Sequence, residues 1–288
     1  MKRIFALILG LYLLIGGLSL AVAQETTPPP KVLSIYREFV KPGKGGEPHE
    51  KAESAFVQAS TRAKWPTHYL ALNSLSGKPR ALFLTGYDSF EAWEKDVQAT
   101  EKNAALSAAL DRAAVADGEL LSEADATALV YREDYSLRGP VDIPHMRYFE
   151  ISVYRVRPGH NHDWEILVKM VKEAYEKIPD VHWAMYQAVY GQEGGTYVVF
   201  NPMKSAAEVD QSFAKDKQFA ENMGEEGMKK FSELLAVTVE SSQHNLFAFS
   251  PKMSYVSDEW IKADPDFWKP KMSAAAPKKE QEKPAASQ

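Results

Sequence analysis

Apolar residues fall into short blocks along this chain, and the blocks come in two matching series. In the later series Tyr148–Val156 is rich in β-branched and aromatic residues and is closed by Pro158-Gly159, which predicts a strand. Behind it Trp164, Leu167, Val168, Val171, Tyr175 and Ile178 recur at spacings of three and four, so a helix with one apolar stripe follows and ends at Pro179-Asp180. His182–Tyr190 and Thr196–Asn201 read as two strands joined by the turn Gly191-Gln192-Glu193-Gly194-Gly195. Ser205 can cap a second helical region through Leu235, broken near Gly224 to Gly227, and a last strand lies within Gln243–Ser250. The earlier series predicts Leu33–Val40, a helix from about Pro48 to Ala63, strands Tyr69–Leu75 and Arg80–Tyr87, a helix from about Phe90, and a strand Leu129–Tyr135.

The two series also match in their residues. Lys41-Pro42-Gly43 returns as Arg157-Pro158-Gly159, 116 residues on. His68-Tyr69 returns as His182-Trp183, Ala81-Leu82-Phe83-Leu84 as Tyr197-Val198-Val199-Phe200, and Glu119-Leu120-Leu121 as Glu233-Leu234-Leu235. The order of elements is therefore βαββαβ, twice, which is the split βαβ or ferredoxin-like arrangement. A sheet with one wet face alternates apolar and polar positions, but Leu82-Phe83-Leu84 and Tyr197-Val198-Val199-Phe200 are apolar on consecutive positions. Both faces need cover. Helices cover one, and the sister repeat, related by a pseudo-twofold axis, covers the other.

The fold expected is α+β: two tandem ferredoxin-like repeats packed as a single-chain, pseudo-dimeric α/β barrel. In element order, in the Lys/Arg-Pro-Gly after the first strand and in the hairpin pattern, Val32 to Ser250 resembles the dimeric α/β-barrel superfamily. That group includes antibiotic-biosynthesis-monooxygenase-like, NIPSNAP-like and haem-degrading proteins, and chlorite dismutase relatives with two repeats per chain. The resemblance implies a fold and a ligand cavity between the sheets, and does not carry an activity over.

The boundaries expected are residues 1–23 as a signal peptide, 24–31 as a disordered leader and 32–136 as the first repeat. A linker follows at 137–146, then the second repeat at 147–250, an extension at 251–270 and a disordered tail at 271–288. Lys2 and Arg3, the apolar stretch Ile4 to Leu20 and Ala21-Val22-Ala23 have the charged, apolar, small-x-small order of a secretory signal, with cleavage expected before Gln24. The expectation is an exported protein, periplasmic or secreted, with no stable membrane span after cleavage. Loss of the two basic residues leaves 32 Lys+Arg against 39 Asp+Glu, a net charge of −7. An acidic balance without a basic stripe argues against nucleic acid as a partner. The chain has no cysteine, so disulfides and thiol nucleophiles are excluded.

Chemistry is sparse by comparison. His68-Tyr69 and His182-Trp183 hold equivalent positions at the start of the third element of each repeat, and an imidazole beside an aromatic ring suits haem, a flavin or an aromatic small molecule. The competing reading is that both histidines cap strand ends while Tyr69 and Trp183 fill the core. His160-Asn161-His162-Asp163 sits at a helix entry, where Asn and Asp cap ordinarily, so no metal site is assigned to it. Trp93, Trp164 and Tyr175 lie at helical spacing and read as core. Haem-degrading members of the superfamily use an Asn, a Trp and a His, and Asn73, Trp183 and His182 are the right types without a matching pattern. No phosphate loop, Gly-x-Ser-x-Gly elbow or His-Glu-x-x-His is present. The function expected is binding of a small apolar or aromatic ligand or a protein partner, with His68, Tyr69, His182 and Trp183 as the candidate ligand-binding residues and no catalytic residue assigned. The alternative is a monooxygenase-like or haem-binding enzyme. The cofactor and the oligomeric state are left open.

Overall fold

A computed structural model describes residues 26–269 of the 288-residue chain. The segments expected to be a signal peptide, 1–23, and a disordered tail, 271–288, lie outside the described residues. The first repeat comprises β1 (Val32–Val40), α1 (Glu47–Ala63), β2 (Tyr69–Ser74), β3 (Arg80–Tyr87), α2 (Phe90–Lys102), α3 (Ala104–Gly118) and β4 (Leu121–Tyr131). The second comprises β5 (Tyr148–Val156), α4 (Asn161–Glu176), β6 (Ala184–Tyr190), β7 (Thr196–Met203), α5 (Ala207–Thr238) and β8 (Val239–Phe249), and α6 (Asp258–Ala263) and α7 (Pro265–Trp268) follow.

Each repeat forms an antiparallel four-stranded sheet, β4-β1-β3-β2 and β8-β5-β7-β6. The sheets do not merely stack. They are hydrogen-bonded to each other along two seams, β2 to β8 through Leu72↔Phe249 and β4 to β6 through Tyr131↔Tyr186, so the eight strands close into one barrel. Closure removes the free sheet edges that would otherwise invite further pairing. This is the dimeric α/β-barrel architecture realised in a single chain.

Strand alternation then sorts every side chain to the lumen or to the helices. Leu33 and Ile35 of β1, Leu70 and Leu72 of β2, Leu82 and Leu84 of β3 and Leu129 of β4 face inward, where they meet Phe149, Ile151, Tyr186, Val198, Phe200, Phe247 and Phe249 of the second repeat in one core. The consecutive apolar positions of β3 and β7 are explained by this: alternate residues fill the lumen and the others pack under helices. Burying one such Leu or Phe contributes roughly 1.5–3 kcal/mol, so the lumen is the main joint between the repeats. The second helical layer, Trp164, Leu167 and Val168 of α4 against Trp183, Met185 and Tyr197, forms a separate core.

Local boundaries follow capping chemistry in most places. Pro48 stands in the first turn of α1, Glu47 and Glu50 complement its N-terminus, and Lys64 ends it in the left-handed region. Gly224, at φ 69°, breaks α5 where a kink was expected. Ser205 does not cap that helix: Ala206 holds the cap position without a side-chain hydrogen bond, and Glu208 instead accepts from the Lys204 amide at 2.8 Å. The last strand of each repeat begins earlier than the apolar pattern suggests, at Leu121 and Val239. Their first halves are polar and exposed, and the ladder to β1 and β5 holds them; Arg37 of β1 donates to Asp125 of β4 at 2.8 Å.

The leader expected to be disordered is placed against the body where it is described. Thr27 bridges Val141 of the linker, and the Tyr186 hydroxyl donates to the Pro30 carbonyl at 3.1 Å. The C-terminal extension packs back as well, with Met253 fully buried and the Trp268 indole donating to the Pro144 carbonyl at 2.9 Å.

Candidate functional site

The strands β1, β2, β5 and β6 start at one end of the barrel, and β3 and β7 finish there. At that mouth lies a cavity of about 320 Å³. Its walls are set by the pseudo-twofold: Leu33 and Phe149, Leu84 and Phe200, His68 and His182, and Tyr69 and Trp183 are repeat mates, and all eight border it. Pro28–Pro30 of the leader, Val141 and Ile143 of the linker and Trp260 of α6 cover it from outside. The lining is apolar with a few polar groups, and the size lies at the lower end of small-molecule pockets.

The four residues singled out from the sequence therefore stand around one space, but their rings do not project into the lumen. Leu70 and Ala184 take the lumen side, and Tyr69 and Trp183 lean toward the helices. The Trp183 indole donates to the Tyr135 carbonyl at 2.8 Å and meets Tyr175 edge-on at 5.7 Å. Ala71 leaves no room beside the rings, because Met253 and Ala81 pack against it. His182 Nε2–H donates to the Pro202 carbonyl at 2.9 Å. His68 stacks on Tyr255 at 4.8 Å, and burial holds its pKa below the usual imidazole value against the opposing charges of Asp258 and Glu259.

The other motifs behave as local structure. His160 Nδ1 lies 2.8 Å from Asp163 Oδ2 at the start of α4, a helix-entry contact. Trp164 is buried and Tyr175 packs against the same core through Trp183, whereas Trp93 is half-buried, stacked on Tyr87 at 5.7 Å on a helix with no buried residue. Asn73 is four positions along β2 from Tyr69, at the seam with β8, so the Asn, Trp and His types do not converge. A second cavity of about 520 Å³ lies between the outer face of the second sheet and α4 and α5, beside Tyr154, Trp164 and His182.

A third feature was not anticipated. Glu38 of β1, His49 and Glu53 of α1 and Asp117 of α3 are all buried, at 2–4% exposure, between the first sheet and its helices. His49 and Glu53 are one helical turn apart and share a face. His49 Nε2 lies 3.0 Å from Glu38 Oε2 and 3.5 Å from Asp117 Oδ1. Burial, then the charges of Glu38 and Asp117, push the Glu53 carboxyl up to about 10. Burial and Glu38 raise Asp117 to about 6, with His49 opposing. Tyr69 connects this cluster to the mouth cavity: its hydroxyl is buried without a hydrogen-bond partner, and burial with the charges of Glu53 and Glu38 raises its pKa. The signal in the sequence was the departure of α1 from α4, since His49 and Glu53 fall where α4 carries Trp164 and Val168.

No family model and no curated protein matches the chain. Solved structures with a similar course include an anthrone oxidase-like protein, at 15% identity over 76% of this chain and 92% of that one, with a TM-score of 0.46. A heme-binding protein from Thermus thermophilus is similar at 13% identity over 83% and 97%, with a TM-score of 0.45. A mutant chlorite dismutase from Candidatus Nitrospira defluvii is similar at 10% identity over 81% and 95%, with a TM-score of 0.44. The barrel is established by its own strand pairing, and at these identities no activity passes from those proteins to this chain.

Proposed function

We propose that this chain is an exported binding protein that holds a small apolar or aromatic ligand at the mouth of its barrel. One observation carries the reading: repeat mates from both halves surround a single apolar cavity, and three segments outside the repeats close over it. His68, Tyr69, His182 and Trp183 would border the ligand, with the Trp183 indole N–H and His182 Nε2–H held by the Tyr135 and Pro202 carbonyls. Export rests on the order of residues 1–23, and N-terminal sequencing of the protein from its producing cell tests it, with Gln24 as the expected first residue.

Binding is tested with an apolar fluorescent probe titrated into the purified chain. Ala184→Leu places a larger side chain at the cavity wall, and the reading expects affinity to fall by about tenfold or more with the circular dichroism unchanged. Equal affinity in the filled variant would overturn it.

A second reading, a monooxygenase-like or haem-binding enzyme, is favoured by His68. Its lowered pKa keeps the imidazole neutral at pH 7, able to take a proton or ligate iron. Haem addition separates the two: a Soret band lost in His68→Ala supports the enzyme, and no spectral change in the wild-type chain removes it.

A further inference from the structure

We propose that Glu38, His49, Glu53 and Asp117 form a site for one divalent first-row transition cation inside the first repeat. The site is separate from the mouth cavity and independent of the ligand reading. Its four donor atoms, one imidazole nitrogen and three carboxylate oxygens, lie within 4.8 Å of one another. Ligands bonded to such an ion at roughly 2.0–2.2 Å stand about 3–4 Å apart, and the His49 contacts to Glu38 and Asp117 at 3.0 and 3.5 Å match that spacing.

Two buried oxygens point to a missing partner. Glu53 Oε1 and Asp117 Oδ1 have no hydrogen-bond partner, although their residues are 3% and 2% exposed. Among the described residues the basic group paired with this set is His49, and no Lys or Arg ion pair reaches it. Three carboxyls around one imidazole in a dry layer are short of positive charge, a deficit that protons or a bound cation can meet, and a metal ion binds by displacing those protons.

The second repeat serves as an internal control. Tyr154 follows Glu38 by 116 residues, Trp164 and Val168 follow His49 and Glu53 by 115, and Phe231 follows Asp117 by 114. In that repeat the same layer is built from these apolar and aromatic side chains. The fold itself therefore does not require a polar quartet there. The donor set narrows the ion: imidazole suits zinc and iron, carboxylates suit manganese as well, and magnesium and calcium prefer oxygen alone.

The test uses the full mature chain, stripped with a chelator, dialysed against Zn2+ or Mn2+ and assayed by plasma mass spectrometry. About one equivalent retained per chain, lost in Glu53→Gln and in His49→Gln but kept in the surface variant His162→Ala, is the expected result. Because substitutions in a buried cluster can unfold the chain, hydrogen exchange of the wild-type protein with and without Zn2+ provides a second measurement. Slowed exchange in α1 and at the end of α3 supports the site. Retention below about a tenth of an equivalent, protection centred on residues 160–163, or equal retention in folded Glu53→Gln would overturn it.

Discussion

His49 Nε2 stands 3.0 Å from Glu38 Oε2, and this contact joins the first turn of α1 to β1 inside the first repeat. The second repeat makes the same joint with rings, Tyr154 against Trp164 at 5.7 Å. One fold thus carries a charged and an apolar solution to the same packing problem, and the two solutions respond differently to mutation. Removing one partner of a buried pair strands the other, so Glu38→Ala in metal-free protein should cost about 3–5 kcal/mol. Urea unfolding at pH 7 measures it, and a loss under about 1 kcal/mol would show that His49 finds another partner.

Glu53→Met should behave in the opposite way. It replaces a carboxyl that lacks a partner on Oε1, and whose pKa burial pushes up to about 10 so that it is neutral at pH 7, with an apolar chain of similar length. No ion pair is broken, and the change should be neutral or stabilise by up to about 1–3 kcal/mol. Thermal unfolding in chelator checks this; a clear fall in Tm would mean that the Glu53 carboxyl bonds to Asp117 more strongly than its burial costs.

Gly191 places a different constraint on the barrel. At φ +77° it turns the chain out of β6, and a Cβ there would stand 2.0 Å from the Ala126 carbonyl oxygen of β4. The obstacle is backbone, which cannot swing aside, and the position adjoins the seam where the pairing slips between Ala128 and Leu129. Gly191→Ala should therefore destabilise by about 1–3 kcal/mol or more. Gly194, next in the same turn, has open space at its Cβ and is the matched control, with Gly194→Ala expected to leave the unfolding midpoint nearly unchanged.

Much of the barrel was legible because it depends on period and repetition. Arg80–Tyr87 holds the apolar run Ala81–Leu84, Tyr148–Val156 is rich in β-branched and aromatic residues, both are bounded by turn residues, and both strands stand where the pattern put them. Leu121–Ala126 and Val239–Gln243 were not legible, since a polar exposed strand held by its neighbours' backbone has no apolar period to show. The equivalence of His68 with His182 was visible, but which face of the strand their neighbours Tyr69 and Trp183 take is fixed by register, which alternation alone leaves open. The buried quartet was hidden for another reason. A helix is recognised by its apolar stripe, and at His49 and Glu53 the buried stripe is polar, so the two read as surface until α1 is laid over α4.

The mouth cavity should be sensitive to acid through His68. Its folded pKa is depressed below the unfolded value of 6.5, so the unfolded chain binds the proton more readily. The stabilisation is then present above pH 6.5 and is lost as pH falls through the folded value. Protonation would also put a charge beside the apolar wall and under Tyr255, although Asp258 and Glu259 soften it. Probe affinity should hold between pH 7 and 8 and fall below 6.5 in the wild-type chain, and His68→Gln should flatten the profile. An equal acid loss in that variant would assign the effect elsewhere.

Separating the two repeats tests how far the lumen makes them one body. The chain passes from the first repeat to the second through the linker at residues 137–146 and returns to the first in the extension, where Tyr255 pairs with Tyr69, and the halves also share the seams β2 to β8 and β4 to β6 and one continuous core. Expressed alone, residues 26–138 would bare Leu33, Ile35, Leu72, Leu82 and Leu129 on one sheet face, together with two unpaired strand edges. Soluble monomers seldom tolerate apolar patches beyond a few hundred Å², and free edges recruit further strands. Each half should therefore self-associate or aggregate in isolation. Co-expressed, the halves should copurify as a 1:1 complex, because every lumen contact and both seams can reform without the linker. Size exclusion with light scattering reads the outcome, and two monodisperse, folded monomers that ignore one another would refute a shared core.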